Sequence, residues 1–449
     1  MLFKREASGI MKGISMRFLA TSLVFLGCIG VLGYGIQRDQ TLHLLFLYGL
    51  SFGSFLILYR LAQSDIGSIR YFVALGFLAR VLLLGSWPAL SEDFARFLWD
   101  GYLALHGISP YEFTPETLIA QEEFSDIHFL TTLFPLLNSP DYFSIYPPVN
   151  QLIFAFSVLV GNSSVFEALI CLRVMLILSE GLIAWMMSRL LGQLGLSPKR
   201  LLLYLLNPLV ILEIAGNLHF EGLMLLSLLI SLWFFNRRPF LSGSWFGFAI
   251  SIKLTPLLLA PMLLAKNSSY AGLFSYVFGL LLILGCCMFP IYPFQESFFS
   301  SFRLYYGKFE FNASIYYLIR DFSIYWLGYN PIRYVTPALS AVAGLIILFL
   351  GVSFRIKLNI YKLTVISYLI YLLLHAVVHP WYIILPLGIS VFTNYKVMHV
   401  WSACIFLSYA AYQSVPVTEL SWVIIVQYLA VLFFFYKDIR NFNIAKTIP

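Results

Sequence analysis

Charge is scarce in this sequence. Only 11% of its 449 residues are Asp, Glu, Lys or Arg, while 60% are hydrophobic. A soluble domain carries about 25% charged residues. So small a supply cannot solvate a body of this size, which excludes water as the main solvent and leaves the bilayer. The net charge of +7 does not indicate nucleic acid, because the basic residues stand singly or in pairs between apolar runs, as in loops that face the cytoplasm. Cysteine is rare as well. Cys28, Cys171, Cys286, Cys287 and Cys404 all lie inside apolar runs without metal-ligand spacing, and read as small buried hydrophobes. The sequence has no internal repeat and no low-complexity tract. No small-residue cleavage site follows MLFKREASGIMKGISMRF, so the start segment is expected to be retained.

What the sequence has in abundance is apolar runs. Crossing a hydrocarbon core of about 30 Å takes about 20 residues at 1.5 Å each. Candidate spans fall near 19–36, 42–60, 71–89, 165–190, 201–216, 219–235, 240–253, 256–265, 271–290, 335–354, 362–378, 381–395, 398–414 and 420–436. Several are short, and the pair broken at Lys253-Leu-Thr-Pro256 is the clearest. Short broken helices at membrane depth line cavities inside a protein.

With the N-terminus in the cytoplasm, the cytoplasmic side receives Lys4, Arg5, Lys12, Arg17, Arg60, Arg70, Arg189, Lys199, Arg200, Arg237, Arg238, Lys266, Arg355, Lys357, Lys362, Lys396, Lys437, Arg440 and Lys446. The outer side receives Arg38, Arg96, Arg303, Lys308, Arg320 and Arg333, and Arg80, Arg173 and Lys253 fall within spans. This asymmetry supports the orientation. It requires the segment 147–161, which opens with two prolines, to lie at the outer interface rather than cross.

Titratable groups crowd the outer side. The loop 90–146 holds Glu92, Asp93, Asp100, Glu112, Glu116, Glu122, Glu123, Asp126 and Asp141. His43, His106, His128, His219, His375 and His379 fall on that side too, and a second long loop spans 291–334. Such groups are what proton transfer uses, so any chemistry belongs on this face. In SEDFARFLWDGYLALHGISPYEFTPE (91–116), Asp93, Arg96 and Asp100 follow an i, i+3, i+7 spacing and share one helical face, opposite Phe94, Leu98 and Leu105. Two readings stand: an interfacial helix whose charges face water, or a helix whose Asp93 takes a proton from an attacking hydroxyl. Arg173 and Glu180, two turns apart, read as a structural pair in the bundle. His375 and His379 stand at i, i+4 before Pro380, but no third ligand follows from the sequence, so no metal or other cofactor is expected.

SEDFARFLWDGYLALHGISPY (91–111) resembles the first outer-loop motif of the GT-C superfamily of membrane glycosyltransferases, and more narrowly of the polyprenyl-phosphate-mannose-dependent mannosyltransferases and their bacterial relatives. The similarity continues in order through YPPVNQLIFA (146–155), LLNPLVILEIAGNLHFEGLMLL (205–226), AISIKLTPLLLAPMLL (249–264), FEFNASIYYLIRD (309–321) and HPWYIILPL (379–387). At position 92 a Glu stands where the family commonly has Asp, which leaves Asp93 as the base. The resemblance implies a polyprenyl-phosphate-linked sugar donor, use of that donor on the outer face, and inversion at the anomeric carbon.

The chemistry beside the resemblance is coherent. A hydroxyl is a poor nucleophile until a carboxylate takes its proton, and a departing lipid phosphate needs cations or aimed donors. Lys253, buried in an apolar run at a cost of roughly 3 kcal/mol, is the first choice for that phosphate. The alternative for Lys253 is a structural pair with Glu180 or Glu213. His219, His379 and Arg96 are its candidate helpers. Asp100, Glu221, Glu310, Asn312 and Arg320 are candidates for sugar or acceptor contact, with local helix capping an equal reading for Glu221. Tyr305, Tyr306, Phe309, Phe311, Tyr316 and Tyr317 suit either sugar stacking or an interfacial belt.

The expectation is an all-α, polytopic membrane bundle of about 13–14 spanning or half-spanning helices, with two long outer loops carrying amphipathic interfacial helices. Residues 1–70 read as an N-terminal transmembrane extension and 71–449 as the GT-C-like catalytic domain. The expected activity is transfer of a hexose, mannose by resemblance, from a polyprenyl-phosphate carrier to a hydroxyl on a glycan, lipid or protein, at the outer face of a bacterial inner membrane. The partners are that donor, that acceptor and membrane lipids, without nucleic acid. The rival is a lipid-linked glycan transporter or flippase, which would spread its polar groups through the midplane.

Overall fold

The computed structural model describes residues 16–266, 269–354 and 359–444, without the side chains of Ile66, Phe302, Tyr305, Tyr306 and 441–444. The charges assigned to Lys4, Arg5, Lys12, Arg355, Lys357 and Lys446, and the rings of Tyr305 and Tyr306, lie outside the described residues.

Hydropathy dictates the architecture. Among the described residues, six helices are long and apolar enough to cross a membrane: α1 (Met16–Tyr34), α2 (Thr41–Leu61), and those at Val165–Gln193, Tyr270–Ser301, Ile332–Ser353 and Ser421–Arg440. A bent pair, Pro208–Gly216 and Glu221–Phe234, makes a seventh, broken span with a 111° bend. Shorter apolar helices fill the bundle at Pro148–Val160, Pro239–Ile252, Thr255–Lys266, Ile360–Leu374 and Pro380–Ser390. The described residues contain no strand, only an isolated bridge between Phe311 and Val377. This is an all-α membrane protein. Its first helices feed Phe25, Ile29, Leu44 and Phe55 into the same core as Leu205, Leu225 and Leu385. Leu23, Phe46, Phe274, Leu281, Leu345 and Leu429 remain exposed on the long helices, where lipid rather than water is the suitable neighbour.

Sequence expectation and structure differ at three places that matter for the site. The third span, expected to reach 89, stops as helix α3 at Ile66–Val81, and its last turns unwind toward Ser91. Arg173 and Glu180 do not pair. Seven residues of helix separate them by about 10 Å, and nearer partners exist. Arg80 takes Glu180 at 2.7 Å, while Arg173 donates to the carbonyls of Ala215 (2.5 Å), Leu84 (2.6 Å) and Gly216 (3.2 Å). A guanidinium at these carbonyls neutralises the C-terminal ends of two helices. Finally, His375 and His379 share no helix, because the preceding one ends at Leu374 and both histidines lie in the link before Pro380.

Two close approaches place the site helices. Helix α4 (Asp93–Leu105) packs along α5 (Pro148–Val160), and a Cβ on Gly101 would lie 2.6 Å from the carbonyl oxygen of Phe154. Only glycine fits there, so α4 is locked at contact distance from α5. The α5 helix has 13 residues and is too short to cross a hydrocarbon core. In α6 (Pro239–Ile252), Gly243 and Gly247 face the backbone of the helix at Tyr270–Met288, where a Cβ on Gly243 would come within 1.9 Å of the Tyr276 carbonyl oxygen. Small residues four apart let two membrane helices touch backbone to backbone. That contact fixes the end of α6, where Lys253 sits.

Candidate active site

Two interrupted helices and one loop-borne helix meet at one end of the bundle. The first interruption follows Asn207-Pro208, where Asn207 caps its helix by accepting from the Leu209 N–H at 3.0 Å. A π-helical turn runs over Ile211–Gly216, Leu218 adopts φ +66°, and a new helix, α7, starts at Glu221 and ends at Phe234. The second interruption is at Lys253, which is extended (φ −147°, ψ 143°) between α6 and the turn opened by Thr255-Pro256. The helix carbonyl this frees, at Ile252, accepts from the Asn150 side chain at 2.8 Å.

Lys253 therefore arrives beside α7 and forms an ion pair with Glu221. Its partner is neither Glu180 nor Glu213, because those carboxylates are taken by Arg80 with Tyr204 and by Tyr409 with Asn217. The pair is lopsided. Glu221 is 2% exposed and its second oxygen has no hydrogen-bond partner, while the Lys253 side chain keeps 22% of its surface open. His219, in the break between the two helices, has Nδ1 3.9 Å from Asp93 Oδ2 and Nε2 3.4 Å from Glu213 Oε2. Its ring stacks on Trp381 at 3.8 Å, and His379 stacks on the same indole at 4.4 Å. Two imidazoles and one indole thus form a layered wall. Lys253 acts electrostatically on Asp93, His219 and His379 alike, so the four groups share one neighbourhood.

Asp93 opens α4, with Ser91 Oγ accepting from its N–H at 3.3 Å. Burial raises its pKa to about 6, aided by the carboxylates of Glu221 and Glu92 and opposed by Lys253 and a hydrogen bond from Asn138. Its neighbours on the same face do not meet water as one sequence reading had it. Arg96 donates to Asp100 at 2.7 Å and to the Tyr142 carbonyl at 2.8 Å. Asp100 is fully buried and also accepts from Ser144 and from Gln151 at 3.1 Å. The loop preceding α5 folds over this face, and both residues are engaged in fastening it.

The second long loop reaches the same end. Phe311 exchanges hydrogen bonds with Ala376 and Val378 (3.0 and 2.8 Å), which sets its ring 5.0 Å from His379. Asn312 is buried, donates to the Val378 carbonyl at 3.2 Å and accepts from Gln427 at 3.2 Å. Its N–H bonds Glu419 at 2.5 Å. Glu310 and Arg320 pair with each other at 2.9 Å, away from the stacked rings. Among the described residues no group of three or more His, Cys, Asp or Glu is placed to hold a metal ion. Reasoning from sequence did not single out Trp381, Asn138 or Glu419. Trp381 lay inside the quoted HPWYIILPL motif and was the one signal available for it.

The family profile described as "Alpha-(1->6)-mannopyranosyltransferase, N-terminal domain" matches residues 21–267, more than half of the chain. The chain belongs to this family. The matched part carries Asp93, Arg96, Asp100, His219, Glu221 and Lys253, whereas His379, Glu310, Asn312 and Arg320 lie beyond it. Family membership agrees with a glycosyltransferase and gives no support to the transporter reading. A curated relative, "Alpha-(1->6)-mannopyranosyltransferase A" of Mycobacterium tuberculosis, is 32% identical over 148 residues, which are 32% of this chain and 26% of the relative. The match thus spans about a quarter of that relative's length. No solved structure matches the chain.

Proposed function

We propose that this protein moves a mannosyl residue from a polyprenyl-phosphate-linked donor to an acceptor hydroxyl, with inversion, on the extracytoplasmic side of a bacterial inner membrane. The observation that carries the reading is the convergence of Asp93 and Lys253. They come from distant parts of the chain, both keep partial access to solvent, and both flank His219. A base and a phosphate counter-ion on either side of one gap are what an in-line displacement at an anomeric carbon requires.

In this mechanism Asp93 takes the proton of the acceptor hydroxyl. Its proton affinity, centred at about pH 6, suits a base that works at neutral pH. The acceptor oxygen bonds to the anomeric carbon from the face opposite the lipid phosphate, and the bond to the phosphate oxygen breaks with its electron pair. Lys253 meets the charge that develops on that phosphate, with His379 as a second donor. Because His219 touches Asp93, it belongs to the proton side rather than the phosphate side. Arg96 and Asp100 act at a distance, by fastening the loop over α4. Asn312 holds the second loop against the His379 segment. Glu310 and Arg320 are the second loop's candidates for sugar or acceptor contact.

Sidedness rests on charge. Lys199, Arg200 and Lys362 fall in the loops that the charge asymmetry of the sequence assigns to the other side of the membrane from the acidic loop bearing Asp93. Basic residues of this kind favour the cytoplasmic side. The test is turnover by the purified protein of a panel of labelled polyprenyl-phosphate sugars offered with envelope glycolipid acceptors. Transfer from the mannosyl donor, lost in Asp93→Asn, is expected. Transfer from nucleotide sugars alone, or retained in Asp93→Asn, refutes the reading.

A further inference from the structure

Glu213 is a buried acid for which the mechanism above has no use. It lies in the π-helical turn Ile211–Gly216, and it is fully buried. Such turns cost backbone regularity and concentrate at functional sites. The turn is followed within two residues by Leu218 at φ +66°, a conformation that a branched side chain adopts only when its surroundings impose it. The unusual backbone has a definite consequence. It brings the Glu213 carboxylate back under His219, whose N–H donates to the Glu213 carbonyl at 3.0 Å.

The groups facing this carboxylate are few. Tyr409 donates to it at 2.8 Å and Asn217 at 3.0 Å. Asp93 and Glu221 lie within electrostatic range, as does Tyr48. His219, itself under the influence of Lys253 and His379, is the group through which a counter-charge can form. The Nε2 atom of His219 is buried and makes no hydrogen bond within the protein, and it lies 3.4 Å from Glu213 Oε2. Its other nitrogen looks toward Asp93.

We propose that Glu213 is a positioning residue for the base: its carboxylate accepts a hydrogen bond from the Nε2–H of His219, which keeps that proton on Nε2, so that the Nδ1 lone pair faces Asp93 and accepts the proton that Asp93 removes. This rests on Asp93 being the base. As the acceptor O–H breaks, its proton forms an O–H on Asp93 and then an N–H at Nδ1 of His219. The imidazolium so formed is paired with Glu213 and stays on the proton side of the gap. After product leaves, the proton returns through Asp93, whose side chain is 23% exposed, to solvent. The separation of 3.9 Å closes by a small rotation of the carboxylate when substrate arrives, as catalytic contacts in unliganded enzymes commonly do.

Two measurements test this. The first is kcat and donor KM for Glu213→Gln and Glu213→Asp. Glu213→Gln should lower kcat on the order of 100-fold and leave donor KM unchanged, because the loss falls on the proton side of the gap. Glu213→Asp should recover part of kcat. A raised donor KM, or equal losses in both variants, overturns the proposal. The second needs no variant at Glu213 to fold: ring-nitrogen NMR of the intact protein, with His219 assigned by loss of its signal in His219→Gln. An Nε2–H tautomer is expected, and an Nδ1–H tautomer overturns the proposal. If Asp93→Asn keeps transferring sugar, the mechanism as a whole fails. If Asp93→Asn is dead while Glu213→Gln behaves as wild type, only this inference fails.

Discussion

Among the ion pairs inside this bundle, Arg80 with Glu180 and Lys253 with Glu221 are built differently. In the pair of Arg80 with Glu180, both side chains are fully inaccessible and both carboxylate oxygens are occupied, one by Arg80 and one by Tyr204. Arg80 also donates to the carbonyls of Gly76 and Leu205 at 2.9 and 2.7 Å. In the pair of Lys253 with Glu221, one carboxylate oxygen lacks a partner and the ammonium keeps a path to solvent. The first pair joins three helices, and although Arg80 Nε has no hydrogen-bond partner, both of its carboxylate oxygens are engaged and both of its side chains are closed to solvent. The second leaves a carboxylate oxygen open beside an ammonium that solvent reaches, and it sits beside a π turn and a left-handed leucine. Burial of charge, even with an unpaired polar atom, therefore does not by itself point to a site. An open carboxylate oxygen beside a solvent-reachable cation, next to strained backbone, is the better pointer.

This contrast can be broken or sharpened experimentally. The largest effect expected is on Asp93→Asn, with kcat reduced on the order of 10³–10⁴-fold and donor binding intact, read by transfer assay and equilibrium binding. Next comes Lys253→Gln, with a loss of about 10²–10³-fold in transfer rate, since one aimed donor at a developing charge contributes that much. Thermal unfolding in detergent should move less for this variant than for one that breaks the closed Arg80–Glu180 pair, because solvent reaches the site from the Lys253 side. Glu180→Gln should do the reverse. It leaves the buried Arg80 guanidinium without its counter-ion and costs about 3 kcal/mol of stability, while transfer per folded molecule stays near wild type. If Glu180→Gln instead lowers kcat in the folded fraction, the division between the two pairs fails.

The pH profile gives a smaller effect with a defined sign. Asp93 works ionised, and its pKa is raised to about 6, so activity rises with pH through that value. One pH unit below it, kcat should fall about tenfold. The smallest effect concerns stability. A carboxylate whose folded pKa lies above its unfolded one favours the folded state only when protonated, so its contribution is lost as pH rises through about 6. Asp93→Asn should therefore be more stable than wild type at pH 8, by about 1 kcal/mol, and this difference should shrink at pH 5. Unfolding midpoints at the two pH values check it.

Much of this was readable from sequence, for reasons of period and composition. The long apolar runs near the positions expected became helices, because hydropathy over about 20 residues is a local property, while shorter runs such as 201–216 are broken. The break at Lys253 was legible because Thr255-Pro256 ends a helix whatever surrounds it. Three things were not legible. A helical wheel shows Asp93, Arg96 and Asp100 on one face, but it cannot show that the loop carrying Tyr142 and Ser144 covers that face. Partner choice among buried charges depends on helix packing, so helical spacing pointed to Arg173 for Glu180, whereas Arg80 of another helix takes it. The π turn that carries Glu213 shifts the register of every later residue in its segment, and ILEIAG contains nothing that announces it.

The most direct test of the central claim separates binding from transfer. Purified wild type, Asp93→Asn and Lys253→Gln would each be titrated with radiolabelled polyprenyl-phosphate mannose and then given acceptor. The account predicts that Asp93→Asn binds the donor as wild type does yet transfers none, and that Lys253→Gln loses donor binding. Transfer by Asp93→Asn, or undiminished donor binding by Lys253→Gln, would contradict it.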